Sequence, residues 1–193
     1  MQKSPLTKTI VAGGAAFVAS LAGGVQAQGI EDGFYAGLAL NKGLSDSGGA
    51  MTFEPYTFGL GGGAFVGYNF VQGDWVFGPE LSATTPLHLT EPGWEGYAAS
   101  AVDLRARIGR TFGNTLVYGA VGVSRMMTNN ASSNSFSGTG VNMGIGAEMP
   151  VGSNAFVGVD LTARRANSGT IVDGEYLDGD MFNTASIRAG FRF

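Results

Sequence analysis

The sequence contains no cysteine, a single histidine and few charged residues. Without cysteine the chain can form neither a disulfide bond nor a thiolate metal site, and one histidine leaves too few ligands for a zinc centre. The missing disulfides do not identify a compartment, because cytosolic and envelope proteins can both lack them. Asp, Glu, Lys and Arg together make up 13% of the chain, which excludes the charge-rich composition typical of disordered proteins.

After residue 27 the chain also lacks helical periodicity and any apolar run long enough for a membrane-spanning helix. Glycine and aromatic residues are abundant instead, with 33 Gly, 13 Phe, 6 Tyr and 2 Trp. The glycines follow no G-x-y repeat, which excludes collagen. Low charge with many glycines and aromatics suits a small β-barrel, in which glycine fills crowded inward positions.

Residues 1–27 are predicted to be a cleaved secretory signal. Lys3 and Lys8 form a basic start, residues 10–22 are uncharged and mildly apolar, and small residues precede a cleavage site after Ala27. Two glycine pairs and the short apolar core argue against a membrane-spanning helix here. The mature chain, residues 28–193, would carry 9 Lys+Arg against 15 Asp+Glu, a net charge of −6. We therefore expect no nucleic-acid partner.

In the segment 182–193, the last ten residues alternate strictly between two kinds of side chain. One set is apolar (Ala185, Ile187, Ala189, Phe191 and Phe193), and the other is polar or glycine (Thr184, Ser186, Arg188, Gly190 and Arg192). This period of two predicts a β-strand with one apolar and one polar face. Arginines opposite phenylalanines are typical of a strand between lipid and a wet interior, and an ordinary amphipathic edge strand is the alternative.

Seven further segments alternate in the same way, at 33–40, 57–70, 74–84, 97–112, 115–126, 138–149 and 155–165. Long connections (41–56, 85–96, 127–137 and 166–181) take turns with short ones (71–73, 113–114 and 150–154). Membrane barrels have an even number of strands, with short turns on one side and long loops on the other. The sequence therefore predicts one all-β domain, an eight-stranded antiparallel up-and-down transmembrane β-barrel.

Three positions do not follow the pattern simply. Phe65 breaks the alternation of its segment, and Pro79 requires a local bulge because a closed barrel has no free edge. The phase of 115–126 is open: if Arg125 points inward, then Leu116 and Tyr118 point outward, together with Ala120 and Gly122.

Nine charged residues inside the predicted strands share one phase, and their neighbours along the chain are mostly apolar. They are Glu80, Asp103, Arg105, Arg107, Glu148, Asp160, Arg164, Arg188 and Arg192. A charge on the lipid face would cost about 2–4 kcal/mol for Arg or Lys at the midplane, so we place all nine in the lumen. Four acids and five arginines can pair there, and an eight-stranded barrel is just wide enough for side chains to fill. A plugged interior is therefore predicted over an open pore, and a lipocalin-type cup would bury the wrong face.

The mature chain resembles the small eight-stranded outer-membrane barrels of the OmpA-like and opacity-protein type. The resemblance lies in Gly-Phe-Tyr-Ala-Gly at 33–37, in the alternating strands and in Ala-Gly-Phe-Arg-Phe at 189–193. It implies a bacterial outer-membrane location, with outer-membrane lipid and the barrel-insertion machinery as partners. In that family the machinery reads the terminal strand, which implies an insertion signal at Phe193, Phe191, Ala189 and Ile187.

The resemblance also implies a function in envelope integrity or surface contact, with a host or cell-surface ligand at four long extracellular loops. A narrow channel for small solutes is one alternative. A lipid-modifying enzyme using His88 is another, but only Glu91 lies near that histidine and no G-x-S-x-G motif accompanies it. The acidic residues between Asp173 and Asp180 lack the glycine and terminal glutamate of a calcium loop. We therefore expect no catalytic residue, metal or cofactor.

Overall fold

The computed structural model describes residues 30–44, 59–88, 98–129, 135–169 and 181–193, in which eight antiparallel strands form a closed barrel. The strands are β1 (Gly33–Leu44), β2 (Leu60–Gln72), β3 (Trp75–His88), β4 (Ala98–Phe112), β5 (Thr115–Asn129), β6 (Ser135–Val151), β7 (Ala155–Gly169) and β8 (Met181–Arg192). Each strand pairs with the next, and β8 pairs with β1. Within these residues, no helix is sufficiently long and apolar to span a bilayer. The predicted fold is confirmed.

The connections at the two ends of the barrel differ in length. At the turn end, β2–β3, β4–β5 and β6–β7 are joined by two or three residues. Gly73, Gly113 and Gly152 lie in these turns with φ of 61°, 60° and 77°, a left-handed conformation that glycine adopts without steric cost. At the loop end, residues 45–59, 89–97, 130–134 and 170–180 connect the strands. Several strands continue past their predicted loop-end boundaries, because ladder hydrogen bonds persist where the apolar alternation has ended.

The strands are offset steadily around the barrel. Successive cross-strand partners from Phe70 are Phe77, Ile108, Gly119, Ile145, Leu161, Ala185, Lys42 and finally Leu60. One circuit thus returns to β2 ten residues away, at Leu60 instead of Phe70. An offset of this kind tilts the strands of a closed barrel by about 35–45° from its axis. The circuit starts near the turn end and climbs towards the loop end as it passes from β2 through β8 to β1.

Burial alternates along the strands, with the apolar side chains outside. Leu38, Val121 and Ile145 are 64–70% exposed, whereas Glu80 and Asp103 are fully buried. This distribution of apolar and polar side chains is the reverse of that in a soluble barrel, since the outer surface of the strands is a continuous apolar band.

The structure shows how Phe65 on β2 and Pro79 on β3 are accommodated. Phe65 points into the lumen, where it is 5% exposed and packs against Tyr35 and Phe156. The bulge expected at Pro79 is absent. The β2–β3 register is the same on both sides of it, and pairing lapses only between Gly67↔Glu80 and Phe70↔Phe77. The missing N–H of proline therefore interrupts the ladder without the insertion of a residue.

The phase of β5 is also fixed by the structure. Leu116, Tyr118 and Ala120 are 1–4% exposed and face inward, whereas Arg125 is exposed on the outer surface. The inward position considered for Arg125 is thus wrong. Its charge is tolerated outside because it lies near the loop end of the strand, away from the middle of the apolar band.

Candidate functional site: the charged lumen

The structure places the nine charged residues predicted for the lumen on the inward faces of β3, β4, β6, β7 and β8. Eight of them are at most 5% exposed, and Arg192, next to the turn end, is 14% exposed. They form two groups, which we call the central cluster (Glu80, Glu148, Asp160, Arg105, Arg107, Arg188 and Arg192) and the loop-side pair (Asp103 and Arg164).

Glu80 is the hub of the central cluster. Its Oε1 accepts hydrogen bonds from Nε and Nη2 of Arg105 at 2.8 and 2.6 Å. Its Oε2 accepts from Arg107 at 2.8 Å, from Arg188 at 2.5 Å and from the Tyr35 hydroxyl at 3.0 Å. Three guanidinium groups from two strands, β4 and β8, thus converge on one carboxylate. The charge is delocalised over many short, charge-assisted bonds.

The arginines link Glu80 to the other two acids of the cluster. Arg105 reaches Asp160 at 2.8 Å, and Arg107 reaches Glu148 at 2.8 Å. The Tyr118 hydroxyl donates to Asp160 at 2.7 Å. Side chains from β1, β3, β4, β5, β6, β7 and β8 are therefore joined in one network across the interior. A buried network of this kind rigidifies the barrel, and within the described residues the Nε atoms of Arg107, Arg188 and Arg192 are its buried donors without a hydrogen bond.

Aromatic rings pack on the guanidinium planes of the central cluster. Arg107 lies 3.8 Å from the ring centroid of Tyr118, and Arg188 lies 3.8 Å from that of Phe65. Such cation–π contacts contribute most where water is excluded. Sequence reasoning did not assign a role to Tyr35, Phe65, Tyr118 and Phe156. The signal was available for Tyr35 and Phe156, which share the inward phase of Gly37 and Asp160 on their own strands.

The loop-side pair lies one layer closer to the long connections. Arg164 donates from Nε and Nη2 to the two carboxylate oxygens of Asp103 at 2.8 and 2.6 Å, a bidentate geometry. Ser124 donates to Asp103 at 2.6 Å, and Thr184 accepts from Arg164 at 3.0 Å. The pair is neutral and complete without the central cluster.

Between the two groups is a cavity of about 30 Å³, lined among others by Asn41, Arg105, Asp160 and Thr184. This volume is about that of one water molecule, and its polar lining suits one. Apolar groups pack beyond the charges at both ends: Val76 and Leu116 near the turns, and Ala101 with Phe182 on the loop side. In the described part of the lumen, side chains occupy the space that a wide pore would need.

The charge of the lumen is not fully balanced. Among the described residues of the lumen, five arginines face four acids, which leaves one excess positive charge. Arg192 is the most exposed of the five and meets Glu148 only at 3.5 Å. The excess charge is therefore located where water from the turn end reaches it.

The predicted insertion residues are on the outer face of β8 and at the chain end. Ile187, Phe191 and Phe193 are 56%, 59% and 78% exposed, and Ala189 shares their face. The Phe193 amide donates to Phe34 on β1 at 2.9 Å, so the terminal residue continues the closing ladder. Recognition of these side chains by the insertion machinery stays a prediction.

Among the remaining predicted positions, residues 1–27 with Ala27, and the acidic segment 173–180, lie outside the described residues. His88 is the last residue of β3, but its side chain is outside them as well. Among the described residues there is no group of three His, Asp or Glu side chains that could hold a metal ion.

Residues 13–193 match the family model described as outer membrane protein beta-barrel domain. The chain belongs to this family. A curated relative, the 22 kDa outer membrane protein of Rhizobium leguminosarum bv. viciae, is 29% identical over 150 residues. The match covers 72% of this chain and 64% of the relative's length. The predicted location in the bacterial outer membrane is confirmed.

Solved barrels of other bacteria share the fold. Ail, the attachment invasion locus protein of Yersinia pestis, aligns with a TM-score of 0.54 at 16% identity, covering 86% of this chain and 100% of Ail. The N-terminal barrel of Pseudomonas aeruginosa OprF gives 0.54 at 16% identity, covering 84% and 100%. At these identities the likeness supports the architecture alone.

Proposed function

We propose that this protein is a non-enzymatic outer-membrane barrel that serves envelope integrity or surface contact through its four long connections. The observation that carries the proposal is the charged lumen, in which ion pairs and aromatic rings fill the centre of the barrel. An interior built this way is a scaffold that holds the loop end in a fixed shape. Binding then depends on the four connections, since a rigid fold of this kind carries its functional residues in its loops.

The energetics of the lumen favour a closed interior over a channel. A water-filled path would require Glu80 to release some of its three arginines, and each of these is at most 5% exposed. Leaving one member of a buried ion pair without its partner costs about 3–5 kcal/mol. The described cavity accepts about one water, so the alternative of a narrow solute channel needs several such rearrangements at once.

The charge of the long connections indicates the kind of surface they contact. Residues 45–59, 89–97, 130–134 and 170–180 contain eight acids and no lysine or arginine. Ail has been solved in complex with the heparin analogue sucrose octasulfate, a polyanion. Eight carboxylates would repel such a ligand here. We therefore expect this barrel to contact cationic surfaces, or anionic ones only through bridging divalent cations.

Planar-bilayer recording of the folded protein tests the closed lumen. We expect no steady ion conductance from the wild type. Discrete wild-type channels that change when Glu80 or Arg105 is neutralised would support the channel instead. Loss of lipid modification in His88→Ala cells would reveal an enzyme, and we expect the envelope lipids of that variant to be unchanged.

A binding assay on proteoliposomes tests the surface contact. Polylysine-coated and heparin-coated beads are compared, with and without Mg²⁺. We expect capture by polylysine that is lost when Asp173, Glu175, Asp178 and Asp180 are converted to amides. Asp74→Asn, an acid at the turn end, is the control and should leave capture unchanged. Equal capture by heparin without Mg²⁺ would contradict the proposed charge preference.

A further inference from the structure

The outer surface of the barrel has a distinct distribution of charge. Every acid within the strands, namely Glu80, Asp103, Glu148 and Asp160, faces the lumen. Four basic residues have the outward phase, and three of them, Lys42, Arg125 and Arg165, lie towards the loop end. The fourth, Arg110, lies near the turn end and pairs with Asp74 at 3.1 Å. The described outer surface near the loops is therefore basic, without a compensating acid on any strand.

Arg125 and Arg165 lie at nearly the same height on β5 and β7. Val123 pairs with Val141 on β6, which pairs with Arg165. Following cross-strand partners once around the barrel shifts the position by ten residues towards the loop end, over eight steps from strand to strand. The two steps from β5 to β7 therefore shift it by about 2.5 residues. Arg165 is thus about 2.5 residues closer to the loop end than Val123. Arg125 is two residues closer than Val123 on the same strand, so the two arginines differ in height by about half a residue.

Thr139 on β6 lies between the two arginines, because it pairs directly with Arg125. The backbones of β5 and β7 are about 10 Å apart across two strand spacings, a gap that two arginine side chains can bridge. The β6–β7 register shifts between Thr139 and Gly140. Irregularities of this kind re-aim neighbouring side chains. Both arginines are exposed, and neither forms an ion pair with any residue that the structure describes.

The height of this site corresponds to the lipid headgroups. On β5, the outward positions below Arg125 are Thr115, Val117, Gly119, Val121 and Val123. The ten residues from Thr115 to Arg125 span about 25 Å along the axis, at about 3.3 Å per residue and a tilt of about 40°. This equals the apolar band of about 25 Å on membrane barrels. The arginines therefore begin where the hydrocarbon ends, on the side of the long connections, which face outward in this fold.

We propose that Arg125, Thr139 and Arg165 form a binding site for the phosphate of an outer-leaflet glycolipid, lipopolysaccharide. Two guanidinium groups match phosphate oxygens in geometry and charge. The site also offsets a repulsion between the protein and phosphate-bearing lipids, since the connecting segments contain eight acids and no lysine or arginine. Lys42 on β1, two strands beyond β7, adds a third positive charge. By the same offset it lies about 1.5 residues closer to the turn end than Arg165.

The test uses refolded full-length protein in neutral detergent, titrated with diphosphoryl lipid A and with the same lipid after phosphatase treatment. The wild type should bind the phosphorylated form more tightly. Replacing the two arginines in R125Q/R165Q should weaken that binding about 25-fold, about fivefold for each basic residue. R110Q removes another exposed arginine, at the opposite edge of the band, and should change the affinity less than twofold.

Three results would overturn the proposal: equal affinity of the wild type for both lipids, the same loss in R110Q, or an unchanged affinity in R125Q/R165Q. If the wild type binds both lipids equally, and R125Q/R165Q unfolds at a lower temperature than the wild type in either lipid, the acidic segment 170–180 pairs with the arginines in place of a lipid. Folding of each variant is checked by the gel mobility of unboiled samples. If the double variant does not fold, R165Q alone should show the fivefold loss, and its absence would equally overturn the site.

Discussion

Glu80 and Arg105 are joined by two hydrogen bonds of 2.6 and 2.8 Å at the centre of the barrel, with side chains 0% and 4% exposed. The two residues are 25 positions apart in sequence but directly opposite each other on β3 and β4. The register between β3 and β4 thus places two residues that both face inward beside each other, where they form an ion pair. The partners of this pair, Arg107, Arg188 and Asp160, extend it across the lumen.

Removal of the hub should destabilise the barrel strongly. In Glu80→Ala, the guanidinium groups of Arg105, Arg107 and Arg188 lose their common partner in a buried environment. We expect a loss of about 3–5 kcal/mol in the free energy of unfolding. Urea titration followed by the mobility of unboiled samples measures it. Asp74→Ala, which breaks an exposed pair with Arg110, should cost less than about 1 kcal/mol. Equal costs would show that the central cluster contributes little.

The loop-side pair should behave non-additively. Asp103→Leu or Arg164→Met alone leaves a buried charge, and each should cost about 3–5 kcal/mol. The double variant removes both charges and should be more stable than either single variant, because an apolar pair needs no desolvation of ions. A double-mutant cycle from urea unfolding gives the interaction energy. Costs that simply add would contradict pairing between the two side chains.

Glycine should be required where a ring lies over the backbone. A Cβ at Gly67 would overlap the ring of Tyr35 and approach the Pro79 carbonyl oxygen to 2.7 Å. Gly67→Ala should therefore destabilise the barrel by about 1–3 kcal/mol through overpacking. Gly119→Ala is the matched control, since a Cβ there would approach, among the described residues, the Gly144 carbonyl oxygen alone, at 4.0 Å. Thermal unfolding of both variants measures the difference, and equal midpoints would place Tyr35 away from Gly67.

The predicted insertion signal of β8 and Phe193 should govern assembly in cells. Phe193→Ala removes the terminal aromatic of the predicted insertion signal, and we expect severalfold less folded protein in the outer membrane. Phe112→Ala changes a side chain of similar exposure, 62% against 78%, at the turn end. It should leave the amount nearly unchanged. Quantifying the heat-modifiable band from washed outer membranes gives the comparison. An equal decrease in both variants would indicate a general loss of apolar surface.

Particular residues show what alternation can predict. The inward phase of Glu80, Arg107 and Asp160 follows from their neighbours alone, because a residue on a strand can face only two ways and hydrocarbon excludes charge from one of them. For Arg125 the same rule failed to decide. Its distance from the middle of the lipid band matters, and that distance depends on the tilt of the strands and the offset of the closed barrel.

The sequence by itself determined the number of strands, the two faces of every strand but β5 and the closure of the barrel, since a period of two and the alternation of connection lengths are local properties of the chain. Only the tertiary structure decided which charges meet. Glu80 could pair with any of five arginines until the ten-residue offset placed Arg105, Arg107 and Arg188 at its height. The same offset brought Arg125 level with Arg165, because height in a tilted barrel depends on the register of all eight strands together.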